Sequence, residues 1–184
     1  MSTAKKPTTT KSGATKAGAK ATAAAPDAIQ MLSAEHQEVK ALFKEYDQLV
    51  QDEGDAADKQ ALAARICTQL TVHATVEEEV FYPAAREVLG EDEDLIDEAE
   101  VEHATVNDLI AQIEDASPQE ELYDAKVKVL GEYVDHHVKE EEGEIFPKAR
   151  KGGLDAAALG AEISARKQEL LADWGADQTI GATA

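Results

Sequence analysis

The sequence predicts an all-α protein, an up-down-up-down four-helix bundle with a short extra C-terminal helix and a disordered N-terminal tail. Three observations predict it. Aromatic residues make up only 4% of the 184-residue chain, while Ala, Glu, Asp, Leu and Val dominate its body, a composition that favours helices over sheets. Four successive stretches space their apolar residues three or four apart, as amphipathic helices do. The breaks between them are short, which sets neighbouring helices antiparallel.

Residues 1–26, "MSTAKKPTTTKSGATKAGAKATAAAP", have no large apolar side chain beyond Met1, so burial cannot offset their ordering entropy. The Lys-rich, acid-free composition also resembles a nucleic-acid arm or a transit peptide. It lacks Arg and amphipathic periodicity, and the plainer reading is a solubilising tail. The bundle is expected over 27–150. Its first helix, roughly 27–52, presents Ile29, Leu32, His36, Val39, Phe43, Tyr46 and Val50 on one face, and "EGDAAD" breaks it. The second carries Leu62, Ile66, Leu70, His73, Glu77, Val80 and Phe81 and runs to about Leu89, where Gly90 stops it. The third carries Ile96, Ala99, His103, Val106, Ile110 and Ile113 and ends before "DASPQE". The fourth carries Tyr123, Val127, Leu130, Val134, His137, Glu141 and Ile145, with Ser117, Pro118 and Glu120 as its N-cap, first-turn proline and capping-box glutamate. Residues 151–184 predict a shorter helix packed outside through Leu154, Leu159, Ile163, Leu170 and Trp174, with the last ten residues frayed.

Each of the four stripes places one histidine on the inward face. Two also place a glutamate one turn further on, so His73 with Glu77, and His137 with Glu141, address the same point in the core. Buried carboxylates without partners are costly, and no Lys or Arg on the stripes offsets them. Four imidazoles and two carboxylates suit two transition-metal ions, with iron, manganese and zinc all compatible. Lone core histidines are usually satisfied by hydrogen bonds, and glutamate runs are usually solvated faces. Glu78, Glu79, Glu140 and Glu142 indeed fall off the inward phase. Repetition defeats that reading for the rest: "HATVEEEVFYP" from His73 returns as "HVKEEEGEIFP" from His137, and "EHQEVKALF" from Glu35 returns as "EHATVNDLI" from Glu102. The chain is two copies of a helical hairpin, each supplying one His and then a second His with Glu at i+4. Alignment through Pro147 and the phase of Leu130 and Val134 select His137 over His136, which faces elsewhere as an outer or surface group.

These residues resemble the hemerythrin-like, or HHE cation-binding, family, whose signature is a His followed by H-x-x-x-E, both occurring twice. The resemblance covers about residues 27–150. It implies a four-helix bundle around an oxo-bridged centre of two non-haem iron ions, with His36, His73, His103 and His137 as terminal ligands and Glu77 and Glu141 as bridges. Oxygen-carrying hemerythrins have a fifth histidine one turn after the third-helix ligand, and Asn107 stands at that place here. The ligand set also resembles di-iron proteins implicated in repairing damaged iron–sulfur centres, which carry an extra cysteine-bearing domain that this sequence lacks.

What such a site does stays open among three functions: binding a small ligand (dioxygen, peroxide or nitric oxide) in oxygen or stress sensing or in iron handling, turning over peroxide or nitric oxide with Tyr46, Tyr82 or Tyr133 nearby, or stabilising an interaction protein that acts through its basic tail. Other classes are disfavoured. No Ser–His–Asp set or glycine-rich phosphate loop sits on the stripes. The tail through Asp27 carries five Lys and one Asp; the rest carries 13 basic and 37 acidic residues and opposes nucleic acid and anionic membranes. Cys67 is the single cysteine, which removes internal disulfides and fits a reducing, cytoplasmic setting. No run is long and apolar enough to span a membrane.

Overall fold

The structure, a computed structural model, describes Met1 and residues 26–181, with side chains through Asp173. The expected disordered tail and Trp174 as an apolar contact fall outside that description. Helix α1 (Ala28–Gln51) starts at Asp27, whose carboxylate accepts from the Gln30 backbone N–H at 2.9 Å, while the Gln30 side chain accepts from the Asp27 N–H at 3.1 Å, closing a capping box. Helix α2 (Ala56–Val76) passes through a π-helical turn (Glu77–Phe81) into α3 (Tyr82–Leu89). Gly90, at φ 62°, ends it as expected, because a side chain there would be strained. Helix α4 is Asp94–Glu114; α5 (Tyr123–Glu140) passes through a second π-helical turn (Glu141–Ile145) into α6 (Phe146–Gly152); α7 is Ala156–Gly181. There is no strand among the described residues.

The order of packing is that of an up-down-up-down bundle. Helix α1 packs on α2, α2 on α4, α4 on α5 and α5 back on α1, with α7 laid across α1 and α2. Buried apolar residues form two clusters, one around Leu42, Ile66, Ile110 and Leu130 and the other around Leu32, Phe81, Ile96 and Phe146. The inward histidines on α1, α2, α4 and α5, and the glutamates that open the two π turns, sit between these clusters, so the polar site is closed at both ends by hydrophobic core.

Three expectations are corrected. The second and fourth helices are each interrupted by a π turn, in which the N–H of Tyr82 reaches the carbonyl of Glu77, and that of Phe146 the carbonyl of Glu141. Pro83 and Pro147 explain its position: a proline has no N–H and clashes with the carbonyl four residues back, and a wider turn relieves both. Ser117 does not start the fourth helix. Glu120 does accept from the Ser117 N–H at 2.9 Å, but the Ser117 hydroxyl turns to Gln119, two i→i+3 turns follow, and regular helix begins only at Tyr123. The final helix is longer than expected, its backbone being helical from Ala156 to Gly181. Its near end is anchored by buried Ala156, Leu159 and Ile163.

Candidate metal centre

Helical spacing alone brings the six expected donors to one place. His36, Glu77, His103, His137 and Glu141 are at most 5% exposed, and His73 is largely buried. The histidines pair within each hairpin: the Nε2 atoms of His36 and His73 lie 3.0 Å apart, as do those of His103 and His137. Glu77 spans the pairs, with Oε1 3.2 Å from His73 Nε2 and Oε2 3.5 Å from His103 Nε2. Glu141 places Oε2 3.2 Å from His36 Nε2 and 3.5 Å from His137 Nε2. Two groups of donors suited to a cation result, one of His36, His73, Glu77 and Glu141, the other of Glu77, His103 and His137.

The outer nitrogens have their own partners. His73 Nδ1 donates to Glu35 at 2.9 Å and His137 Nδ1 to Glu102 at 2.8 Å; His36 Nδ1 donates to Glu142 at 3.0 Å and His103 Nδ1 to Glu78 at 2.9 Å. The pattern follows the duplication. The glutamate before the first histidine of a hairpin orients the second histidine of that hairpin, and the glutamate after the bridging position orients the first histidine of the other. Such carboxylate–histidine pairs fix the tautomer and raise the basicity of the inner nitrogen. Glu78 and Glu142 had been read as surface residues from their phase; partly exposed though they are, their carboxylates reach back to the rings.

A cation fits this arrangement. With each Nδ1 donating outward, four Nε2 lone pairs converge two by two, which is repulsive unless positive charge lies between them. Both oxygens of Glu77 and Oε2 of Glu141 are buried without an aligned hydrogen-bond donor, an expensive state for a carboxylate. Protons compensate when no metal does. Burial works against a charged His73, but the Glu77 charge and the hydrogen bond to Glu35 outweigh it and carry its pKa up to about 10. Burial likewise opposes a charged Glu141, yet the His137 charge and the His36 contact hold it down to about 2.

A cavity of about 260 Å³ opens beside the four histidines, with Val39 and Val106 in equivalent places on its wall. Lys167 and Leu171 of α7 line it as well, and Lys167 also pairs with Glu35. Asn107 is exposed; it is Val106 that faces the cavity, so the sequence departure at 107 lies outside it. Among the tyrosines, Tyr82 alone reaches the site. Its hydroxyl donates to Glu141 Oε1 at 3.0 Å and lies 3.3 Å from His103 Nε2. Tyr46 instead donates to Asp124 at 2.8 Å within the cluster beyond the histidines, and Tyr133 is exposed. His136 is 62% exposed and lies 3.3 Å from the Glu102 oxygen not used by His137. Cys67 is buried and its thiol is pushed up to about 12, mainly by burial, which leaves it inert.

A four-helix bundle that buries histidines and carboxylates together between two apolar clusters has the donor set of a cation-binding bundle. Comparison with known proteins narrows the class: residues 27–149 match the hemerythrin HHE cation binding domain, and the chain belongs to that family. A DNA nickase from Nostoc sp. is 33% identical over 124 residues, covering 67% of this chain and 33% of the relative, so the chain spans about a third of that relative's length. The crystal structure of a hemerythrin HHE cation binding domain-containing protein from Mycobacterium kansasii has a TM-score of 0.66 at 21% identity, covering 79% of this chain and 88% of that one, a likeness of fold. No helix among the described residues is long and apolar enough to cross a membrane.

Proposed function

We propose that the chain is a cytoplasmic non-haem di-iron protein that binds dioxygen, peroxide or nitric oxide in oxygen or stress sensing or in iron handling. His36, His73, His103 and His137 hold the two ions terminally, and Glu77 and Glu141 lie between them. Manganese and zinc suit the same donors, and iron is favoured by the equal mix of imidazole pairs and shared carboxylate. The observation that carries this reading is the convergence of four Nε2 lone pairs on the unpartnered oxygens of Glu77. When bound, an iron pair supplies open coordination positions and one-electron redox steps. The protein's residues do the rest. Glu35, Glu78, Glu102 and Glu142 orient the rings, and the valine-walled cavity admits a small ligand while limiting water.

A second reading, turnover of peroxide or nitric oxide, draws on one observation, the Tyr82 hydroxyl held between Glu141 and His103. The nickase activity named for the Nostoc relative is not carried over, because an acidic body opposes approach to DNA. The test is a titration of iron-loaded protein with nitric oxide, and separately with hydrogen peroxide, followed optically. A saturating change at one ligand per iron pair, with turnover no faster than free iron, supports binding; sustained turnover above free iron replaces it with the enzymatic reading.

A further inference from the structure

The duplication is broken at one position that matters. In the aligned phrases Glu77 matches Glu141 and Pro83 matches Pro147, while Tyr82 matches Phe146. Both rings follow a π turn and are thrown into the core, at 0% and 3% exposure. Both also lie against the first histidine of a hairpin. Phe146 stacks on His36 with centroids 5.8 Å apart and planes at 4°, and Tyr82 lies 5.5 Å from His103. The two hairpins therefore differ here by one hydroxyl, buried beside the site.

That hydroxyl has a direct effect on one carboxylate. It donates to Glu141 Oε1 at 3.0 Å, whereas neither oxygen of Glu77 has an aligned donor. Glu141 then offers its other oxygen, Oε2, to the site. The two positions are unequal as a result: the hydroxyl lies beside the His103–His137 pair, 3.3 Å from His103 Nε2, while Phe146 offers none beside His36. On the reading of a di-iron site, on which this inference rests, we infer that Tyr82 is a positioning residue that makes the two irons inequivalent. It takes up Glu141 Oε1, so that this carboxylate offers the pair one oxygen where Glu77 offers two, and it puts a hydroxyl beside the His103–His137 position alone.

Mössbauer spectra of the oxidised, iron-loaded protein, with metal content measured on the same sample, test this. Two quadrupole doublets of equal area are expected in the wild type, and they should converge toward one in Tyr82→Phe, which makes position 82 match Phe146. Phe146→Leu, which removes the stacked ring and adds no hydroxyl, should leave two doublets. A pair of coupled irons with equivalent doublets in the wild type, or with doublets unchanged in Tyr82→Phe, overturns the role of Tyr82 while leaving the di-iron site standing. A visible tyrosinate-to-iron charge-transfer band that vanishes in Tyr82→Phe also overturns it, since the phenol would then be a ligand. Fewer than two irons per chain would instead remove the reading beneath it.

Discussion

Glu35 and Glu102 each precede the first histidine of a hairpin yet serve the second, a relation that no periodicity reveals. The inward position of the histidines and of Glu77 and Glu141 was legible in the sequence because i, i+4 spacing on a helix is rigid geometry. The outer carboxylates were not, because long side chains lying off the inward phase reach the rings from neighbouring helices. Neutralising one of them should loosen the site without emptying it. Glu35→Gln or Glu102→Gln is expected to weaken metal affinity by about 10–100-fold, measured by competition with a chelator. Glu77→Ala or Glu141→Ala is expected to lose the metal pair outright, and retention of a full complement in either would contradict the bridging role. His136→Ala should leave the metal content unchanged. Proton linkage gives a further expectation for the metal-free protein. Glu141 is depressed from 4.5 to about 2, so its stabilising contribution is complete above pH 4.5 and is lost as pH falls toward 2. His73 is raised from 6.5 to about 10, so its contribution is complete below pH 6.5 and is lost as pH rises toward 10. Denaturant midpoints should therefore be highest between those unfolded values and fall on either side. A midpoint still rising at pH 9 would contradict the His73 assignment.

At the scale of elements, the hairpin repeat and its stripes located four of the bundle's helical faces, but not the π turns within two of them. Pro83 and Pro147 carried that signal, six residues after Glu77 and Glu141, since a proline inside a continuing stripe must disturb the ladder behind it. The start of α5 was misplaced for a different reason: Ser117 and Glu120 make half of a capping box, and half a box holds a turn. Helix α7 was underestimated because its last stretch carries few large apolar residues. Its near half is packed through Ile163, whereas Arg166 and Lys167 hold the next turns by ion pairs to Glu79 and Glu35. Pairs of this partly exposed kind contribute little, because solvent screens them. Helix α7 should thus control access more than stability. Enlarging its cavity-facing side chain, as in Leu171→Trp, is expected to slow azide binding to the iron-loaded protein several-fold with its optical spectrum unchanged. An unaltered rate would place ligand entry elsewhere.

For the whole molecule, the charge separation between a basic tail and an acidic body makes a clear expectation about partners. Any affinity for nucleic acid resides in the tail, so removal of residues 2–25 should abolish it, and in the intact chain it should fall steeply with salt. On the proposed di-iron reading, metal binding and folding are linked as well, because the metal-free core retains converging lone pairs and buried carboxylates; loading should raise the thermal midpoint, by the equivalent of about 2.7 kcal/mol when free iron is 100 times its dissociation constant. The central claim is the metal pair itself. Metal content per chain, measured with the optical spectrum on anaerobically reduced protein before and after exposure to air, tests it most directly. Close to two irons per chain with charge-transfer bands appearing on oxidation is the expected result; one metal or none, with no spectral change, would contradict it.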